Sequence, residues 1–155
     1  MVNLGISALI KWLLDTNVIS ETKRRKPNAE VSAWLSSLVN EQICTSTMNI
    51  AELRYGIHAA GDALLKIDIE SWISNELAPW LNGRIFEATE PALLRWRILS
   101  RLREAKQEPA PAVDLLVAAI AQTNGLSIAT RDTAPFVACS IPTLNPWTGE
   151  RFNGA

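Results

Sequence analysis

A chain of 155 residues with 48% hydrophobic and 20% charged side chains supports a packed domain and argues against disorder. Fifteen basic and sixteen acidic residues leave a formal charge of −1, which excludes bulk attraction to nucleic acid as the organising feature while leaving room for a local basic patch. A single histidine, two widely separated cysteines and the lack of any glycine-rich phosphate loop exclude a two-histidine or thiolate zinc site, a disulfide framework and a glycine-loop nucleotide cradle.

In chain order, Met1 to Ile10 has no basic leader region, and Lys11 interrupts its apolar residues. A signal peptide is therefore not indicated, no stretch reaches membrane-span length, and a cytoplasmic protein is expected. Residues 1–9 are set apart as an extension of unknown role. Leu9-Ile10-Lys11-Trp12-Leu13-Leu14 reads as a buried strand that stops at Asp15. Asp15-Thr16-Asn17 is turn and cap chemistry, followed by the basic run Lys23-Arg24-Arg25-Lys26, expected in a loop near the functional edge. Pro27 and Asn28 open a helix carrying Val31, Trp34, Leu35 and Leu38 at helical spacing. Gln42 to Thr45 is a second strand, and helices are predicted over 47–60 and 62–81. Arg84-Ile85-Phe86 is a third strand. Helices follow over 90–106 and 112–123, the latter closed by Asn124-Gly125. Leu126 to Ala129 is a fourth strand, a short helical turn follows Pro135, and Thr143-Leu144 is a candidate edge strand. Residues 148–155 read as a loose tail. Short strands alternating with helices give an α/β domain over 10–147, with a mainly parallel sheet of four to five strands covered on both faces.

Four acids stand out against this frame. Asp15 and Asp132 each follow a predicted strand, the edge at which parallel sheets bind ligands, although Asp15 could simply cap the turn beginning at Val18 and Asp132 could be an N-cap before Pro135. Glu52 lies near the start of the 47–60 helix and shares a face with Met48, Tyr55 and Ala59; alternatively, it closes a capping box with Asn49. Asp114 opens the 112–123 helix on a face that continues through Ala118 and Ala121, while a helix-dipole role is its plainer reading. If the four converge, they need counter-charge, because two carboxylates about 4 Å apart repel by roughly 4 kcal/mol at an effective dielectric of about 20. Mg²⁺ or Mn²⁺ answers that need with oxygen ligands, and such ions suit phosphodiester hydrolysis.

The same residues carry a family resemblance. Leu13-Leu14-Asp15-Thr16-Asn17-Val18-Ile19-Ser20, Ala51-Glu52-Leu53-Arg54-Tyr55-Gly56, Val113-Asp114 with Val117-Ala118-Ala119-Ile120-Ala121, and Ala129-Thr130-Arg131-Asp132 resemble, in order, the four motifs of PIN-domain proteins. The closing Leu144-Asn145-Pro146-Trp147 is similar to the tail of the subset containing VapC- and FitB-like toxins of type II toxin–antitoxin modules. The resemblance implies a three-layer α/β/α fold and a Mg²⁺- or Mn²⁺-dependent endoribonuclease. Asp15, Glu52, Asp114 and Asp132 would be its catalytic metal ligands, with Thr130 and Asn17 as auxiliary polar groups. It also implies a homodimer neutralised by an antitoxin, with operator DNA contacted only through that antitoxin. Lys23, Arg24, Arg25 and Lys26 are candidate RNA contacts. The competing classes are a phosphatase using Asp15 as nucleophile, a flap-type DNA nuclease, and a non-catalytic binding module in which the four acids do not meet.

Overall fold

The computed structural model describes residues 9–59 and 61–154, so the N-terminal extension lies outside the described residues up to residue 8. Six strands form one sheet: β1 (Trp12–Leu14), β2 (Ile43–Ser46), β3 (Ile85–Phe86), β4 (Ser127–Ala129), β5 (Thr143–Leu144) and β6 (Arg151–Phe152), in the order β3-β2-β1-β4-β5-β6. All neighbours are parallel except β5 and β6. The sheet is thus one strand wider than the four to five expected, because the supposed loose tail turns at Asn145–Gly149 and pairs Thr143 with Phe152 and Leu144 with Arg151.

The helices are α1 (Thr16–Lys23), α2 (Ala29–Ser36), α3 (Thr47–Ala59), α4 (Ala63–Trp72), α5 (Ala78–Trp80), α6 (Glu90–Ala105), α7 (Ala112–Thr123) and α8 (Ala134–Ala138). Alternation along the strands divides the interior into two cores. Leu13 and Ile128 face α6, α7 and α8, where they join Leu99, Ala118, Ile120 and Phe136. Trp12, Leu14 and Ala129 point the other way, toward Val18, Val31, Leu53, Ile57 and Leu77 from α1 to α4 and the turn beyond. One sheet between two helical layers follows from the period of two in the strands. Among the described residues, no helix is long and apolar enough to cross a membrane.

Two helical details depart from the sequence expectation. Thr16–Lys23 is a helix rather than a turn: its β-branched and polar residues are poor helix formers, but the Asp15 side chain accepts from Thr16 N, and Val18, Ile19 and Glu21 are buried. The segment read as one helix to residue 81 is broken by a π-helical turn over Ile73–Leu77, in which Ala78 N donates to Ile73 O. That turn keeps Ile73 and Leu77 both buried just before Pro79, which has no N–H to continue the regular ladder. At the other end of the fold, Gly125 adopts φ +65° and lets Leu126 N donate back to Ala121 O at 2.9 Å. This closes α7 and turns the chain directly into β4.

The candidate active site

Chain order sets where the site lies. From β1 the chain moves outward through β2 to β3, then returns to the other side of β1 as β4. The β1/β4 boundary is therefore the switch point, where parallel sheets open a crevice at their carboxyl ends. Asp15 stands one residue beyond β1, its N donating to Ala129 O of β4 at 3.0 Å. Asp132 follows β4, Asp114 is in the first turn of α7, and Glu52 is on α3. All four acids line one cavity of about 340 Å³, together with Thr16, Asn17, Asn49 and Val113. A binding module in which the acids stay apart is not the arrangement found.

Asp15 is the most heavily tied of the four. Its Oδ1 accepts from Thr16 N at 2.9 Å and from Asn49 Nδ2 at 3.1 Å, and its Oδ2 accepts from the Thr130 hydroxyl at 2.7 Å. Thr130 is fully buried. Having given its one proton to Asp15, its oxygen accepts from Asn17 Nδ2 at 3.2 Å and Asp132 N at 3.1 Å, which uses both lone pairs. Asn17 Oδ1 in turn accepts from Arg131 N at 3.1 Å. The auxiliary pair therefore knits the loops after β1 and β4 together. Asn49, buried at the first turn of α3, also donates to Thr16 Oγ1 at 3.3 Å and accepts from Ser46 Oγ. Sequence reading missed this residue as part of the site; its signal is the Ser46-x-x-Asn49 spacing at a strand end, a helix N-terminus whose cap is the serine.

Electrostatics within the cleft follow from crowding. Desolvation by burial, then the charges of Asp15, Asp132 and Glu52, push the Asp114 carboxyl up to about 6. Burial also raises Asp15, helped by Asp132 and opposed by the Thr130, Thr16 and Asn49 hydrogen bonds. A set of four hard oxygen donors lining one cavity, two of them raised by burial and by neighbouring carboxylates, fits a divalent cation. Among the described residues, no three acidic, histidine or cysteine side chains cluster tightly enough to ligate one ion unaided. The fit is thus to an ion that keeps several waters, as Mg²⁺ does.

The plainer roles divide unevenly. Asp15 does cap α1 as well as lining the cleft. Asp132 caps nothing: Thr133 precedes α8, and no side-chain bond caps that helix. The box expected of Asn49 and Glu52 is displaced by Ser46, which accepts Asn49 N at 3.2 Å. Glu52's face is not wholly inward, since Tyr55 and Ala59 are exposed while Met48 packs on the core. His58 is exposed, whereas both cysteines are buried, Cys44 with its thiol pushed up to about 12 by desolvation. The basic run lies one helix away from Asp15, about 12 Å along α1 at 1.5 Å per residue. Two of its members are already paired, Lys23 with Asp68 at 3.2 Å and Arg24 with Glu21 at 3.4 Å. Beside it opens a larger groove of about 450 Å³ lined by Thr22, Pro27, Leu35, Trp72, Leu77 and Trp80. That groove has only Glu76 as an acid, whereas the smaller cleft is lined by all four.

The chain is similar to known proteins along most of its length. Residues 12–138 match the family described as PIN domain. The chain is 36% identical over 135 residues to Toxin FitB of Neisseria gonorrhoeae, covering 87% of this chain and 97% of that protein. It is 32% identical to VapC ribonuclease Y4jK of Sinorhizobium fredii, covering 87% and 96%. The crystal structure of FitAcB from Neisseria gonorrhoeae superposes with a TM-score of 0.81 at 36% identity, covering 87% of this chain and 97% of that one.

Proposed function

The chain belongs to the PIN domain family, and from that premise we propose that it is a Mg²⁺- or Mn²⁺-dependent endoribonuclease acting as the toxin of a toxin–antitoxin pair. The observation that carries the reading is the meeting of Asp15, Glu52, Asp114 and Asp132 in one cleft, with Asp114 pushed up to about 6 by burial and by the other three acids. The names of two relatives, a toxin and a ribonuclease, support it.

These four acids would hold the cation, some through water. Bound there, it would lower the pKa of a water and offset charge on the phosphate. The Thr130 hydroxyl fixes the plane of the Asp15 carboxylate, and Asn17 fixes Thr130. Asn49 holds the other Asp15 oxygen and joins α3, which carries Glu52, to the end of β1. With Oδ1 and Oδ2 both accepting hydrogen bonds, Asp15 is suited to a fixed ligand's role and poorly suited to that of a phosphatase nucleophile. Asp114, whose carboxyl is raised to about 6 by burial and then by its three acid neighbours, is an acid whose ionisation a cation entering the cleft would favour.

The partner reading has its own support. The groove lined by Trp72, Trp80, Leu35 and Leu77 offers apolar surface to an antitoxin segment, in the manner of a helix laid in a groove. Operator DNA would then be reached through the antitoxin. The protein would act in the cytoplasm as a homodimer, and RNA away from the cleft would meet Arg25 and Lys26, the members of the basic run in no ion pair among the described residues. The test uses purified chain freed of antitoxin. RNA cleavage with Mg²⁺ or Mn²⁺, stopped by EDTA and absent from Asp114→Asn, is expected, with single-stranded and flap DNA left intact. RNA cleavage that persists in EDTA overturns the nuclease reading. A toxin-only strain that grows normally while making folded protein overturns the toxin reading.

A further inference from the structure

Arg131 is spent on neither of the roles a surface arginine usually fills. It sits in the chain between Thr130, which holds Asp15, and Asp132, which lines the cleft. Its backbone is pinned by the bond from its N to Asn17 Oδ1 at 3.1 Å. Its exposed guanidinium pairs with no carboxylate among the described residues, although Asp132 is the next residue. It lies instead over the Trp147 ring, 5.1 Å from the centroid. Trp147 is itself fixed, its N donating to Asn145 Oδ1 at 2.9 Å in the turn after β5. Because β4 and β5 are parallel neighbours, Arg131 and Trp147 both leave the sheet at the carboxyl edge that holds the acids.

Stacking on an aromatic face orients a guanidinium without using its N–H donors, which lie in its plane. An unneutralised cation is thereby kept in a set pose at the rim of an acidic cleft. Its planar fork matches two oxygens of a phosphate. An incoming polyanion is repelled by the four carboxylates, and this is where an offsetting charge has the most effect.

We propose that Arg131, seated on Trp147, grips a backbone phosphate of the RNA strand entering the cleft, and so positions the strand for cleavage. The inference rests on the ribonuclease reading but is separable from it by experiment. Two measurements are made on wild type, Arg131→Ala, Arg131→Lys, Trp147→Ala and the double variant Arg131→Ala with Trp147→Ala: anisotropy of a fluorescein-labelled single-stranded 12-nucleotide RNA in EDTA, and steady-state cleavage of the same RNA with Mg²⁺. Arg131→Ala should weaken binding about tenfold, with the loss in cleavage falling on KM rather than kcat. The slope of log affinity against log salt should become shallower by about 0.7, one single-strand phosphate contact. Arg131→Lys should recover the slope but not the full affinity, because a point charge lacks the fork. Trp147→Ala should lose most of the Arg131 effect, so that the double variant is little worse than either single one. Unchanged affinity and slope in Arg131→Ala, with only a lower melting temperature, would make Arg131 a clip between two turns and overturn the proposal. If wild type binds RNA in this Arg131-dependent way yet cleaves none, the ribonuclease reading fails and the phosphate grip stands. If wild type binds no RNA, the grip is overturned whatever the cleavage result.

Discussion

At the scale of single residues, a buried hydroxyl organises the cleft. The Thr130 oxygen donates to Asp15 and accepts from Asn17 and Asp132 N, so Thr130→Val removes one donor and strands two. Loss of about 1–3 kcal/mol of stability is expected, measured by urea denaturation. Asp15, already raised by burial, should rise further without the bond that lowers it. Activity should therefore fall at least tenfold, with its acidic limb moved to higher pH, and Thr130→Ser should restore both. A valine variant with wild-type stability and pH profile would show that the hydroxyl is incidental. The cysteines make a simpler case: with both buried, and Cys44 pushed up to about 12, neither should react with an aromatic disulfide reagent until the chain is unfolded.

At the scale of elements, α6 shows how a helix face misleads. Arg95, Arg97, Arg101 and Arg103 all lie on α6, yet Arg103 is buried and donates to Glu108 O at 3.0 Å, Ala138 O at 3.2 Å and Glu108 Oε2 at 2.6 Å. It satisfies a carbonyl in the loop after α6 and the last carbonyl of α8. Arg103→Ala should cost about 2–3 kcal/mol in chemical denaturation, and Arg97→Ala almost nothing; equal effects would refute the distinction. The same contrast explains what was legible. Buried strands and the α3 and α7 stripes announce themselves because burial is written in their periodicity, whereas Leu93, Leu94 and Leu102 of α6 are exposed. The four acids were legible because strand ends and helix starts are local features, and one topology gathers them. By contrast, α1 was not legible: its helix rests on Asp15 capping and on burial of Glu21, whose Oε1 accepts Asn28 N at 2.8 Å. Nor was the place of Asn49 in the site, because its partners there, Asp15 and Thr16, follow β1 more than thirty residues earlier in the chain. β6 is two residues long and exists only because the Asn145–Gly149 turn returns it to β5. β6 and the site role of Asn49 depend on contacts between segments, and α1 on single capping and side-chain bonds, none of which hydrophobic periodicity reports.

At the scale of the whole molecule, the cleft works against the fold that holds it. The folded pKa of Asp114 is about 6, above its ordinary 3.8. A carboxyl raised in this way contributes stability that is fully present below the unfolded pKa and is lost as pH rises through the folded one. In EDTA, wild type should therefore lose stability between about pH 4 and pH 6 that Asp114→Asn does not lose. The two should melt alike near pH 4, and by pH 7 the variant should be higher by on the order of a few degrees. Asp15→Asn carries the opposite expectation. Three donors converge on that carboxylate, so the amide nitrogen of an asparagine must face at least one of them, and the variant should melt below wild type at every pH. Charge relief and scaffold loss are thus separated at two acids in one cavity. Excess Mg²⁺ should reverse the order at pH 7, because an ion that binds only the native state stabilises it by about 2.7 kcal/mol at a hundred times its Kd. Wild type would gain most of that and Asp114→Asn little. Thermal melts across pH, with EDTA and with Mg²⁺, give the answer. If Asp114→Asn melts below wild type in EDTA at pH 7 and responds to Mg²⁺ as wild type does, then Asp114 serves the start of α7 and not a cation.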